Sequence, residues 1–133
     1  MRQFFFGGTV AKAEAAIQKA IIDFMRDDGF MVWRNQTQGV MMGGGKRARS
    51  TNTGSPDIMA LKNGIFYGIE VKTSTGKVAT HQQAWLALAS LHGARCFVAR
   101  SLQCTIDTLK IYESLDNKTP LPEERDDAPL FGD

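Results

Sequence analysis

The dipeptide Asn63-Gly64 constrains the fold more than any other feature of this chain, because predominantly apolar segments flank it on both sides. Asn-Gly between two such segments predicts a β-hairpin with a two-residue turn. In that register Lys62 pairs with Ile65. Each step back along the first strand matches one step forward along the second, so the residue five before Lys62 faces the residue five after Ile65. The pairing extends to Asp57 and Glu70, so the sequence predicts two carboxylates directly opposite each other.

Like charges that face each other across a sheet are destabilising, so a bound cation is the simplest reason for this pair. Lys72 lies two residues after Glu70 and therefore on the same face. Mg²⁺ is typically held by one or two carboxylates together with waters and phosphate oxygens of the substrate, and the carbonyl of Val71 is a candidate third ligand. The alternative is a strand-end salt bridge between Lys72 and one carboxylate.

A metal at this position could activate a water molecule and stabilise charge that develops on a phosphoryl oxygen. Lys72 could hold that water or add positive charge near the transition state. The cluster therefore indicates phosphodiester hydrolysis if the metal interpretation holds.

The remaining pattern predicts the element order α-β-β-β-α-β-α and an α/β sandwich with helices on both faces of the sheet. Helices are predicted where apolar residues recur at helical spacing, and strands in short apolar segments. A capping box formed by Thr80 and Gln83 is predicted to open the second helix. The predicted helices are Thr9–Asp28, Thr80–Leu91 and Leu102–Leu115, and the strands outside the hairpin are Phe30–Asn35 and Ala94–Arg100.

With 133 residues the chain is expected to form one domain, residues 1–115, followed by an acidic, proline-containing and mobile tail, residues 116–133. Residues 1–55 carry eight basic and four acidic side chains, whereas residues 116–133 carry two and six. A basic body suits a polyanionic partner, although a solvated surface without a partner has the same composition. No apolar segment reaches membrane-spanning length, and Cys96 and Cys104 lack metal-ligand spacing, so a cytoplasmic protein is expected.

Several of these residues together resemble a known family. The segments are Gly54-Ser55-Pro56-Asp57-Ile58, residues 66–73 with Glu70-Val71-Lys72 at their end, Gly76-Lys77, and Gln82-x-x-Trp85-Leu86. In this order they resemble the VRR-NUC domain of the PD-(D/E)XK nuclease superfamily, and the resemblance covers roughly residues 12–101. It implies a restriction-endonuclease-like core with a central mixed sheet flanked by helices.

The resemblance also implies roles for individual residues. Asp57 and Glu70 would ligate Mg²⁺ or Mn²⁺, and Lys72 would be the catalytic lysine. Glu14 matches a first-helix glutamate near the metal, and Gln18 follows one turn later on the same helix face. Gln82 matches the motif glutamine, which could point at phosphate or water from the start of a helix. Without the resemblance, Glu14 is a solvated charge and Gln82 a capping residue.

Basic residues outside the cluster are candidate contacts to a nucleic-acid backbone. The glycine-rich segment around Gly43-Gly44-Gly45 does not match a Walker A motif, because Val40 replaces the first glycine and Arg47 follows the lysine. A solvated loop is the alternative for this segment. The candidate DNA contacts are Lys46, Arg47, Arg49, Arg34, Lys77 and Gln18.

The sequence thus predicts a Mg²⁺- or Mn²⁺-dependent DNA endonuclease that recognises backbone and shape. Stand-alone members that resemble this chain, from phages and prophages, imply a homodimer, and a two-fold dimer suits four-way junctions; flaps are an alternative substrate. In this interpretation the protein is encoded by a phage or its bacterial host and acts in the cytoplasm. A catalytically idle nucleic-acid-binding or assembly module with the same fold is the second hypothesis.

Overall fold

The computed structural model describes residues 6–35 and 53–118, with side chains from residue 9 onward in the first range. Seven elements follow the predicted order α-β-β-β-α-β-α. They are α1 (Phe6–Asp27), β1 (Met31–Arg34), β2 (Ile58–Lys62), β3 (Ile65–Val71), α2 (Thr80–Leu91), β4 (Arg95–Ala99) and α3 (Leu102–Lys118). The order of elements and the α/β class are therefore confirmed.

The four strands form one mixed sheet in the order β1-β2-β3-β4. Strands β1, β2 and β3 are successively antiparallel, and β4 runs parallel to β3. The hairpin has the predicted register, from Lys62 opposite Ile65 to Ile58 opposite Ile69. Asn63 and Gly64 both have positive φ, at 53° and 80°, as a primed two-residue turn requires.

The hydrophobic core lies between one face of the sheet and the helices α1 and α3. Strand residues that alternate along β2 and β3 supply the sheet side of this core, because successive side chains point to opposite faces. The buried core residues are Ile21, Ile22, Met25, Phe30, Val32, Ile58, Ala60, Tyr67, Ile69, Val71, Ala99 and Leu109.

Helix α2 covers the opposite face. A Cβ atom added to Gly68 would lie 2.9 Å from Cγ of Pro56 and 3.7 Å from the ring of Trp85. Since Gly68 points away from the core residues Tyr67 and Ile69, Trp85 of α2 packs on the other side of the sheet. None of the residues of α2 is fully buried, so this second layer is thin.

The end of α3 and the capping of α2 differ from the prediction in ways that the contacts explain. Helix α3 continues to Lys118, three residues past the predicted end, and Arg95 forms an ion pair with Asp116 in its last turn. The predicted capping box at Thr80 and Gln83 is wrong, because the N-cap is Ala79 and its N–H donates to Oε1 of Gln82 at 3.0 Å.

Among the described helices, none is both long and apolar enough to cross a membrane.

Candidate active site

Asp57 lies at the open end of the hairpin and is hydrogen-bonded to residues at the ends of the two neighbouring strands. It directly precedes β2, and its carboxylate Oδ2 accepts a hydrogen bond from the N–H of Val71 at 2.9 Å. Its main-chain carbonyl accepts from the N–H of Asn35 at 2.7 Å, which continues the β1–β2 pairing by one residue. Both the backbone and the side chain of Asp57 are therefore fixed relative to the end of β3.

Glu70 is the least exposed charged side chain of this region, with 3% of its surface accessible. Burial is the largest cause and the neighbouring carboxylate of Asp57 the next, and together they raise the pKa of Glu70 from 4.5 to about 8. The charge of Lys72 acts in the opposite direction and lowers the pKa of Glu70, whereas the charge of Glu14 raises it. The two carboxyl groups predicted to face each other are therefore close enough to interact strongly.

The two oxygens of Glu70 differ in their surroundings. Oε2 accepts a hydrogen bond from Nε2 of Gln82 at 3.1 Å and lies 3.7 Å from Nζ of Lys72. Oε1 is buried and has no hydrogen-bond donor within the described part of the chain. A buried polar atom without a partner is costly, so either a proton or a cation must compensate it.

This unpaired oxygen is the observation that fits a metal ion. Divalent cations such as Mg²⁺ and Mn²⁺ prefer oxygen ligands, and Oε1 of Glu70 lies next to a second carboxylate, that of Asp57. Within residues 6–35 and 53–118, however, no three Asp, Glu, His or Cys side chains are grouped so that they alone could hold an ion. Glu14 is half-buried and close enough for its charge to act on Glu70, and its role as a ligand stays a prediction, as does that of the Val71 carbonyl.

Gln82 performs two tasks with one amide group. Its Oε1 caps α2 through the N–H of Ala79, and its Nε2 donates to Glu70. The neighbouring Gln83 instead donates to the carbonyl of Val78. Gln82 therefore caps α2 and also contacts the carboxylate cluster. Its amide group orients Glu70 and does not point to open solvent.

The predicted DNA contacts are distributed unevenly around this cluster. Arg34 is exposed at the end of β1, opposite Ile58, and Lys77 is exposed in the loop before α2. Gln18 is half-buried one turn after Glu14 on α1. The candidate contacts Lys46, Arg47 and Arg49 lie outside the described residues.

Two residues near the cluster were not identified from the sequence. The side chain of Asn35 donates to Ser55 and Pro56, next to Asp57. Nη1 of Arg100 donates to the carbonyls of Thr73 at 2.6 Å and Gly76 at 2.7 Å, and so holds the loop that follows Lys72. The only signal for Arg100 is its position as the last residue of a predicted strand, Ala94–Arg100.

Comparisons with known proteins agree with this architecture. No family model matches the sequence, and no curated protein matches it. A solved structure described as "VRR_NUC domain" superimposes with a TM-score of 0.54 at 23% sequence identity, covering 76% of this chain and 95% of that chain. At this level of identity the similarity establishes the fold. The chain therefore has an α/β fold similar to that of a solved VRR_NUC domain, with a four-stranded mixed sheet flanked by helices.

Proposed function

We propose that this protein is a divalent-metal-dependent endonuclease that hydrolyses phosphodiester bonds of DNA. The observation that carries the proposal is the buried, unpaired Oε1 of Glu70 beside the carboxylate of Asp57. A binding module has no need for such a pair, because its mutual repulsion and desolvation destabilise the fold when nothing compensates them. The fold shared with a VRR_NUC domain supports the same reading.

Asp57 and Glu70 would hold the ion, with the Val71 carbonyl as a third protein ligand and Glu14 at the edge. Mg²⁺ or Mn²⁺ bound there would supply a Lewis acid that lowers the pKa of water and neutralises charge on the phosphoryl oxygens. Few protein ligands suffice for Mg²⁺, because it keeps several waters and takes phosphate oxygens from its substrate.

The neighbouring side chains prepare the site for a phosphate anion. The ammonium group of Lys72 lies on the same face as both carboxylates and is mostly buried, so its charge is poorly screened by solvent. It can hold the attacking water or contact a non-bridging phosphate oxygen, where negative charge increases during the reaction. Gln82 keeps Oε2 of Glu70 occupied, which leaves Oε1 as the oxygen directed to a ligand.

The substrate is proposed to be DNA of particular shape rather than sequence. The described residues supply basic side chains at the end of the sheet that carries the cluster, namely Arg34, Lys72, Lys77 and Arg100, which suit contacts to the phosphate backbone. A homodimer would present two such sites related by two-fold symmetry and so would match a four-way junction; a flap needs only one site.

A cleavage assay tests this proposal. Labelled four-way junction, flap and linear duplex are incubated with the protein in Mg²⁺, in Mn²⁺ and in EDTA. We expect cleavage only with metal, and a reduction of at least about a hundredfold in Asp57→Asn, since even residues that only support metal ligands cost about 10- to 100-fold.

The matched control is Asp28→Asn, because Asp28 is an exposed carboxylate near Lys62 at the hairpin-turn end of the sheet. It should cleave as the wild type does. Equal activity in EDTA, or in Asp57→Asn, contradicts the proposal. Binding of these DNAs with no cleavage under any metal condition would instead identify a catalytically idle nucleic-acid-binding module.

A further inference from the structure

Asn35, the residue that follows β1, donates three hydrogen bonds to residues 55–57. Its side-chain Nδ2 donates to Oγ of Ser55 at 2.8 Å and to the carbonyl of Pro56 at 2.9 Å. Its main-chain N–H donates to the carbonyl of Asp57 at 2.7 Å. A carboxamide nitrogen has two hydrogens, so both are used here. Three consecutive residues, 55 to 57, are thus bound to one residue of the neighbouring strand.

The same segment is restrained from its other side. Pro56 is fully buried, and its ring lies so close to Gly68 of β3 that a side chain at Gly68 would collide with it. Ser55 is buried as well, with 3% of its surface accessible. Residues 55 and 56 are therefore clamped between the end of β1 and the middle of β3, and Asp57 follows directly from this clamp.

The clamp determines where the carboxylate of Asp57 lies. The carboxylate reaches one specific donor, the N–H of Val71, and one specific neighbour, the carboxyl group of Glu70. These two contacts lie at the end of the strand. The pairing of β2 with β3 begins at Ile58, so it does not hold the main chain of Asp57. Release of Pro56 from Asn35 would leave the buried Pro56 carbonyl without its donor and free the main chain to shift.

We infer that Asn35 is a positioning residue that sets the carboxylate of Asp57 in place beside Glu70 by binding Ser55 and Pro56. Asn35 acts through Asp57 and does not itself touch the substrate. An aspartate at this position has the same shape but cannot donate to the Pro56 carbonyl, and it adds a negative charge beside an acidic pair. The inference rests on the proposed function in so far as Asp57 belongs to the nuclease site.

The test compares Asn35→Ala and Asn35→Asp with the wild type and with Tyr67→Phe. Tyr67→Phe is the matched control. It removes a hydroxyl that accepts a hydrogen bond from Arg95, and Tyr67 lies in β3 four residues before Val71, away from the contact between Val71 and Asp57. The first readout is the hydrogen-exchange rate of the Val71 amide relative to that of Ile69 in the same strand, measured by NMR without metal. The second is the Mg²⁺ concentration that gives half-maximal cleavage.

In both Asn35 variants we expect the Val71 amide to exchange about tenfold faster relative to Ile69, the factor that corresponds to the net loss of one hydrogen bond. We also expect the Mg²⁺ requirement to rise by about tenfold while KM for DNA changes less than about twofold, because supporting residues act on metal affinity. Tyr67→Phe should lower the melting temperature without changing either readout.

An unchanged ratio of Val71 to Ile69 exchange in the Asn35 variants overturns the inference, and so does a lower melting temperature with an unchanged Mg²⁺ requirement. The failure of the proposed function gives a different result. If the wild type neither cleaves DNA nor responds to metal, the proposed function is wrong, whereas faster Val71 exchange in Asn35→Ala would still show that Asn35 positions Asp57.

Discussion

Replacement of Glu70 by glutamine should stabilise the metal-free protein, although it removes a group central to the proposed site. Glutamine has the shape of glutamate, and its carbonyl oxygen can still accept the hydrogen bond from Gln82. It has no charge to bury beside Asp57. Glu70→Gln therefore isolates the cost of ionising this one carboxyl group in the folded state.

The pKa of Glu70 gives the sign and the size of this effect. Its pKa is about 8 in the folded protein and near 4.5 in the unfolded chain. Below pH 4.5 the carboxyl group is protonated in both states and the stability does not change with its titration. Between pH 4.5 and about 8 only the unfolded state releases the proton, so the free energy of unfolding falls as pH rises. Above pH 8 both states are ionised and the effect is constant.

Each pH unit within this window lowers the free energy of unfolding by about 1.4 kcal/mol, so the total reaches at most about 5 kcal/mol. Glu70→Gln lacks this loss. Urea denaturation in EDTA, followed by circular dichroism from pH 5 to pH 9, should show the variant increasingly more stable than the wild type as pH rises, with a plateau above about pH 8. Added Mg²⁺ should stabilise the wild type and leave the variant unchanged, because only the wild type binds it in the folded state.

The comparison with Asp28→Asn separates this effect from a general change in net charge, since Asp28 is exposed at the opposite end of the sheet. That control should follow the wild-type pH profile. A constant difference in stability between Glu70→Gln and the wild type across the whole range would refute the reasoning, because it would mean that Glu70 ionises as easily in the folded protein as in the unfolded chain.

Three further substitutions test the surroundings of the site. Gly68→Ala should lower the free energy of unfolding by about 1–3 kcal/mol, because its Cβ would lie 2.9 Å from the buried Pro56 ring; an unchanged melting temperature would show that this contact is not tight. Lys72→Met keeps the aliphatic stem and should reduce kcat about a hundredfold with near-normal DNA binding, and full activity would exclude a catalytic role. Arg100→Gln should speed amide exchange in the loop 73–76 and reduce cleavage severalfold, whereas unaltered exchange would contradict its role as a clamp.

The hairpin and its consequences could be predicted because they depend on local chemistry. The Asn-Gly turn fixes the register of β2 on β3, and the period of two then places Glu70 and Lys72 on one face. Asp57 precedes this ladder by one residue. Its carboxylate accepts a hydrogen bond from the amide of Val71, one residue beyond its predicted partner Glu70.

The capping of α2 could not be predicted by the same means. The local pattern favours Gln83, because Thr80 lies three residues before it, whereas Ala79, three residues before Gln82, has no side chain that can cap a helix. Gln82 caps the helix instead, and the Nε2 group of the same amide donates to Glu70, which is distant in sequence. A local pattern cannot report a constraint that comes from another strand.

The role of Asn35 lies beyond sequence reasoning for a related reason. Its partners Ser55 and Pro56 are 20 and 21 residues away, across a segment without hydrophobic periodicity. No turn signal fixes the register of β1 on β2 across such a segment. Only the paired strands show that Asn35 arrives beside Asp57.

Titration of the protein with Mn²⁺ by isothermal calorimetry at pH 8 tests most directly whether Asp57 and Glu70 share a cation. The wild type should bind Mn²⁺ at a site that is lost in Asp57→Asn and in Glu70→Gln and retained in Asp28→Asn. Mn²⁺ binding of equal affinity and stoichiometry in all four proteins, or no binding to the wild type, would contradict the account.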